Sequence, residues 1–390
     1  MKLNFIKYHI FPIALSLLLI FLIGVFIFDS KPDKVELIKG NQEEATRIQA
    51  NYSNGIQGEV NFIASLLNKN DICFLGSSEF GNPALKLYPY DFLKDSLNMR
   101  VFAYGHAHHQ CFSIYSQLVA NQQELKNANV CIILSPSWFI TEGTNIEAFI
   151  EFVPENYLKR IVHSPLVSKE EKLKIGEYIY NHFDLINEPT LSLTYLANLY
   201  KYRNYPFFEK WLNLYKSKIS DVNYDIKLLP KTTPVQTSKS LIKKELKEQY
   251  LNNIKSNQIY VNDAYYLEYL STKDHPYEPS IIEDELFKNR TEFKDFTLLV
   301  NLLKKNNCNA SFIFQPLNNY HYVGIEKFKP LKKEILSLLK KNNFPLYDLF
   351  SLSKKEFEPG VLNDIMHTGD YGWSKINQFI YNTYYKILSK

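Results

Sequence analysis

DICFLGSS, residues 71 to 78, is a short apolar run closed by a glycine and two serines. Its apolar residues do not alternate with polar ones, which is the pattern of a strand buried on both faces rather than one with a wet side. Four later stretches share it: MRVFAYG (99–105), NVCIILSPSW (129–138), NASFIFQPL (309–317) and FPLYDLF (344–350). Between and after them, YSQLVANQQELKNA (115–128), IEKFKPLKKEILSLLKKNN (325–343) and SKINQFIYNTYYKILSK (374–390) carry apolar residues at helical spacing. Strand and helix in alternation predict an α/β fold, a doubly wound, mainly parallel five-stranded sheet.

The third and fourth strands are separated by far more chain than one crossover needs, so a large helical insertion is expected at about 140–305. Toward the N-terminus, IFPIALSLLLIFLIGVFIF (10–28) holds no charge over 19 residues. As a helix it would measure about 28 Å, enough to cross the hydrocarbon core of a bilayer. No small-residue cleavage site follows it, so it reads as a retained anchor. A slight excess of positive charge before the run puts residues 1–9 in the cytoplasm and the rest outside the cell membrane. Residues 29–60 read as a stalk, and 61–390 as the extracellular domain.

Of the 45 basic residues five are arginine, and the net charge is +4. Nothing there forms the basic face of a nucleic-acid binder. The four cysteines lack metal-site spacing and sit in or beside apolar runs, as small buried hydrophobes do. No metal or other cofactor is expected.

In open α/β sheets, ligands bind beyond the carboxyl ends of the strands, so the polar residues there are the candidates. Ser77 and Ser78 follow strand one. Each could be a nucleophile or an ordinary turn or helix-cap serine. NDIMHTGDYGW (363–373) spaces Asp364 and His367 at i, i+3, so that on one helical turn the carboxylate can hold the imidazole Nδ1–H and leave Nε2 as a base. YGHAHHQ (104–110) offers the backbone of Gly105 and the amide of Gln110 near an oxyanion. Its histidines lack the carboxylate partner of a zinc site. SPSWF (135–139) adds Ser137 and Trp138, the latter equally readable as a core cap.

Taken in this order, the serine block, the glycine after strand two, the polar block after strand three and D-x-x-H near the C-terminus resemble the SGNH (GDSL-like) hydrolases. FLGSSEF, SPSWF, the long insertion, FQPLNNYHY (314–322) and DIMHTGDYGW more closely resemble the DltD family, which takes part in D-alanine transfer to lipoteichoic acid. The resemblance implies a membrane-anchored serine acyltransferase with Ser78 as nucleophile, His367 as base and Asp364 as orienter. The N–H groups of Ser78 and Gly105 would be the oxyanion donors, with Gln110, Ser137, Trp138 and Asn318 around the substrate. It implies as partners a polyanionic glycerol-phosphate polymer, a D-alanyl donor and a membrane-embedded acyltransferase. An esterase or thioesterase acting through the same triad, and a non-catalytic teichoic-acid-binding scaffold, are the alternatives. SPSWF lacks the asparagine that SGNH enzymes use as a further donor, which leaves that position open.

Overall fold

The computed structural model describes Ile63, Leu67 and residues 69–80, 82, 84–222, 231–272 and 274–390. The expected anchor (10–28) and stalk (29–60) lie outside these residues, and among the described residues no helix is long and apolar enough to cross a membrane.

The strands are β1 (Ile72–Gly76), β2 (Val101–Gly105), β3 (Asn129–Leu134), β4 (Ser280–Ile281), β5 (Asn309–Phe314), β6 (Tyr322–Val323) and β7 (Leu346–Asp348). The principal helices are α1 (Pro89–Leu97), α2 (Cys111–Ala120), α3 (Lys169–Asn181), α4 (Leu191–Lys201), α5 (Phe207–Lys216), α6 (Thr291–Lys305), α7 (Lys329–Lys341) and α8 (Asp370–Leu388). All five apolar runs form strands of one parallel sheet, ordered β2-β1-β3-β5-β7. Each strand is shorter than its apolar run; β1 ends at Gly76 and β3 just before Ser135 and Pro136, where the chain turns. The final helix begins at Asp370, four residues before the expected start.

β1 and β3 are buried along their whole length because helices cover both faces. On one face Phe74, Ile72 and Ile133 pack with Leu93 of α1 and with Trp373, Ile376 and Ile380 of α8. On the other, Phe296 of α6 meets Phe312 edge-on at 5.7 Å, and Phe139 meets Phe314 at 6.3 Å. At the amino end of the sheet, Arg100 Nε donates to the fully buried Asp71 carboxylate at 2.5 Å. The order reverses between β1 and β3. β1 connects outward to β2 and the chain then returns across β1 to β3, leaving a crevice at their carboxyl ends.

Between β3 and α6 the chain is mostly helical. Residues 158–222 form a compact unit of their own, in which α3 and α4 approach closely: a Cβ on Gly176 would stand 2.3 Å from the Leu196 carbonyl oxygen.

Candidate functional site

β1 delivers its two serines into different environments. Ser77 is buried, and its hydroxyl donates back to the His106 carbonyl at 2.9 Å. That bond joins the turn after β1 to the loop after β2. Ser78 opens a single 3₁₀ turn, Ser78–Phe80, and is half-buried. Its Oγ lies 2.9 Å from His367 Nε2, across 289 residues of chain.

His367 Nδ1 lies 2.8 Å from Asp364 Oδ2. The helical turn expected at 364–367 is instead a loop, closed by a bridge between Leu362 and Thr368. Asp364 builds it. Its Oδ1 accepts the backbone N–H groups of Met366 and His367 at 2.8 and 2.7 Å, a side-chain turn of the kind aspartate favours over helix interior. Oδ2 is thereby aimed at the imidazole. Gly372 lets the start of α8 pack against this loop, since a Cβ there would stand 2.4 Å from the Val361 carbonyl oxygen. Asp370 Oδ1 accepts the N–H groups of Lys86 and Leu87, tying the segment after Ser78 to the helix that follows His367.

Burial pushes the Asp364 carboxyl up, but the hydrogen bond and charge of His367 outweigh it and hold the carboxyl below its ordinary range. For His367 burial favours the neutral ring. The hydrogen bond and charge of Asp364, and then the charge of Glu79, override this and raise its pKa.

Glu79 closes the serine block after β1, but the sequence patterns give it no role. It is 2% exposed, accepts the Ser77 N–H at 2.5 Å, interacts with the Gln315 side chain, and faces His367 closely enough for each to shift the other. Burial drives its own pKa up, and the hydrogen bonds and His367 oppose the rise. The only signal is an acid placed directly after a strand-ending serine pair.

Gly105 stands beside Gly76 in register, and a Cβ on it would fall 2.3 Å from the Gly76 carbonyl oxygen and 3.0 Å from the Ser77 nitrogen. Only a glycine permits the two strand ends to approach this closely. His109 braces the same carbonyl. It is fully buried, its Nδ1 lies 2.8 Å from Gly76 O and its Nε2 2.8 Å from the Gln117 amide oxygen. Burial lowers its pKa to about 4. Among the described residues no group of three or more histidine, cysteine or acidic side chains could hold a metal.

Gln110 is buried and its amide donates to Thr141 Oγ1 at 3.2 Å. Ser137 Oγ pairs with Ser135 Oγ at 2.8 Å just beyond β3, and Trp138 is buried. Asn318 is engaged elsewhere. Its amide donates to the Ile259 carbonyl, its Oδ1 accepts from the Tyr320 and His321 N–H groups, and its own N–H donates to Ile365 in the loop that carries His367. The buried side chain thus bonds the backbone through both its oxygen and its nitrogen and orders the loop that carries His367. Near the acid lie Tyr250, Tyr265 and Tyr322. Burial, and then the Asp364 charge among other influences, keep their hydroxyls protonated, with Tyr265 pushed up to about 12.

A hydroxyl on an imidazole whose far nitrogen is held by a carboxylate can transfer an acyl group through a covalent intermediate. The model of one family, described as DltD protein, matches residues 49–386. Among characterised proteins the chain is similar to Protein DltD of Staphylococcus aureus (strain NCTC 8325 / PS 47), 23% identical over 325 residues, covering 78% of each chain. It is also similar to Protein DltD of Bacillus subtilis (strain 168), 21% identical over 299 residues, covering 68% of this chain and 70% of the other.

Proposed function

The chain belongs to the DltD family, and on that premise we propose that it is an SGNH-type serine acyltransferase that places D-alanine on a teichoic acid. The observation that carries this reading is the continuous Ser78–His367–Asp364 relay, with 2.9 and 2.8 Å links.

In the first half-reaction Ser78 Oγ attacks the carbonyl carbon of an activated D-alanyl group while His367 Nε2 takes its proton. The N–H groups of Ser78 and Gly105 receive the developing oxyanion. The bond to the leaving group then breaks, His367 returns the proton to the departing atom, and D-alanine remains as an ester on Ser78. In the second half-reaction His367 deprotonates a hydroxyl of the glycerol-phosphate polymer, which attacks the seryl ester and releases Ser78. Asp364 holds Nδ1–H throughout and favours the imidazolium formed in each half.

Transfer must outrun hydrolysis, and of the tyrosines around Asp364, Tyr265 and Tyr322 offer hydroxyl donors to a polyol chain, while Tyr250, whose hydroxyl donates to the Tyr260 carbonyl at 3.1 Å, helps exclude bulk water. The run at 10–28 would anchor the domain on the outer face of the cell membrane, beside a membrane-embedded acyltransferase that supplies the D-alanyl group.

The test is the intact mass of the purified protein after exposure to a D-alanyl thioester, followed by addition of a glycerol-phosphate oligomer. A D-alanyl adduct on Ser78, absent in Ser78→Ala and His367→Ala and retained in Ser77→Ala, is the expected result. An adduct discharged equally by water and by the oligomer would replace transfer with hydrolysis. Unchanged D-alanine ester in cells carrying Ser78→Ala would leave a non-catalytic scaffold.

A further inference from the structure

Helix α5 carries two apolar stripes, and only one of them is covered. Phe208 and Leu212 turn inward: Leu212 is buried, and Phe208 stacks on Tyr202 at 4.3 Å, while the half-buried Tyr215 lies 5.7 Å from the Trp211 ring. Phe207, Trp211 and Leu214 repeat the same i, i+4, i+7 spacing about a quarter-turn away and face solvent, 87%, 46% and 58% exposed. Tyr205, just before the helix, is 61% exposed. Exposed apolar residues scattered singly need no explanation, but an aligned stripe of large ones marks an interaction surface.

Its charge indicates the partner. From Lys201 to Lys218 the chain has five cationic residues, Lys201, Arg203, Lys210, Lys216 and Lys218, and one anionic, so these 18 residues carry a net +4, equal to that of the whole protein. At about 100° per residue Lys210 falls beside the exposed stripe, whereas the single acid, Glu209, and Lys216 both fall on the far side of α5 and offset each other there. Aromatic and aliphatic anchors bordered by Lys210 and flanked in the chain by Lys201, Arg203 and Lys218 are the composition of a segment lying in the plane of an anionic bilayer surface, where rings enter the headgroup boundary and cations reach phosphates. The sequence also contains, at 10–28, an apolar run long enough to hold the chain at a bilayer.

We propose that α5 and its flanks, Lys201–Lys218, dock on an anionic lipid surface by inserting Phe207, Trp211 and Leu214 among the headgroups. This inference does not depend on the acyl-transfer chemistry assigned to Ser78.

The three tryptophans make it testable in the full chain. Trp138 and Trp373 are buried, 5% and 0% exposed, so quenchable emission comes chiefly from Trp211. The protein is reconstituted into vesicles of phosphatidylcholine with or without phosphatidylglycerol, with brominated acyl chains as depth quenchers and acrylamide as the aqueous quencher. In phosphatidylglycerol vesicles the brominated lipid is expected to quench a blue-shifted emission, and acrylamide to lose access. The effect should weaken without the anionic lipid and vanish in Trp211→Phe. Phe207→Glu with Leu214→Glu should abolish quenching and leave the circular dichroism unchanged, since both side chains are outside the core. Emission that stays accessible to acrylamide and unquenched by brominated lipid would overturn the proposal. So would protection of Trp211 seen only when a membrane protein is added. Quenching indifferent to phosphatidylglycerol would overturn its electrostatic part.

Discussion

Asp364→Asn is the substitution that separates geometry from electronics in the relay. Asparagine keeps the shape and can retain the Oδ1 that accepts the Met366 and His367 N–H groups at 2.8 and 2.7 Å, so the loop should persist. What changes is the atom 2.8 Å from His367 Nδ1, where an acceptor becomes a donor. An amide there selects the ring tautomer with its proton on Nε2, which cannot receive the Ser78 proton. A hydrogen bond to a charged group contributes about 1.5–3 kcal/mol. With the tautomer reversed, the loss should reach about 4–5.5 kcal/mol in the barrier, roughly a thousand- to ten-thousandfold in rate. The pH profile should move as well. His367 acts as a base when neutral, so acylation rises with pH through its pKa, which Asp364 and Glu79 hold above the ordinary value against burial. Removing the carboxylate charge leaves burial in command, and the rising limb should shift to lower pH. The assay is single-turnover formation of the D-alanyl adduct on Ser78, followed by intact mass across pH, with circular dichroism as a check on folding. A folded variant slowed less than about tenfold, or one whose limb stays in place, would refute the assignment of Asp364 as orienter.

Four further outcomes follow from three other substitutions. Glu79→Gln removes the second charge that raises His367, so the limb should move to lower pH while the plateau rate changes only a few-fold; an unmoved limb would show that Glu79 does not act on the base. In the same variant the pH dependence of stability should flatten: burial raises the Glu79 pKa, so its ionisation opposes folding as pH climbs from the unfolded value through the folded one, and the variant's advantage should appear above that window. Gly105→Ala drives a methyl to 2.3 Å from the Gly76 carbonyl oxygen and should displace the turn carrying Ser78, costing about 1–3 kcal/mol or more in thermal or urea unfolding and most of the adduct formation. Asp71→Ala strands the buried Arg100 guanidinium and should destabilise by about 3–5 kcal/mol, while folded protein acylates at the parental rate, because the pair lies at the opposite end of the strands from Ser78.

The sheet was legible in the sequence because parallel strands covered on both faces are apolar on both sides, so five mainly apolar runs report five strands without knowledge of their order; the last, β7, lies at the sheet edge and is only partly buried, which its run did not reveal. Asp364 and His367 could be paired from spacing alone, since three residues of chain keep them within reach in a helix or in the loop that actually forms. The glycine after β2 was legible as a place of close approach, and its clash with Gly76 gives the reason. Asn318 was legible as a polar residue in a suggestive block, but whether its amide faced the crevice or the backbone depended on Ile259, 59 residues away.

Residue types and spacing alone left Ser77 and Ser78 equivalent, and only the family resemblance favoured Ser78. Both follow the same strand, and each finds a hydrogen-bond partner, one at His106 and the other at His367. Local propensity determined that the chain would turn there. Which hydroxyl would meet the imidazole, and that Glu79 would lie buried beside it, was decided when the sheet brought the end of β1 to a loop 289 residues downstream, because a side chain's direction is set by backbone packing against partners that sequence distance does not reveal.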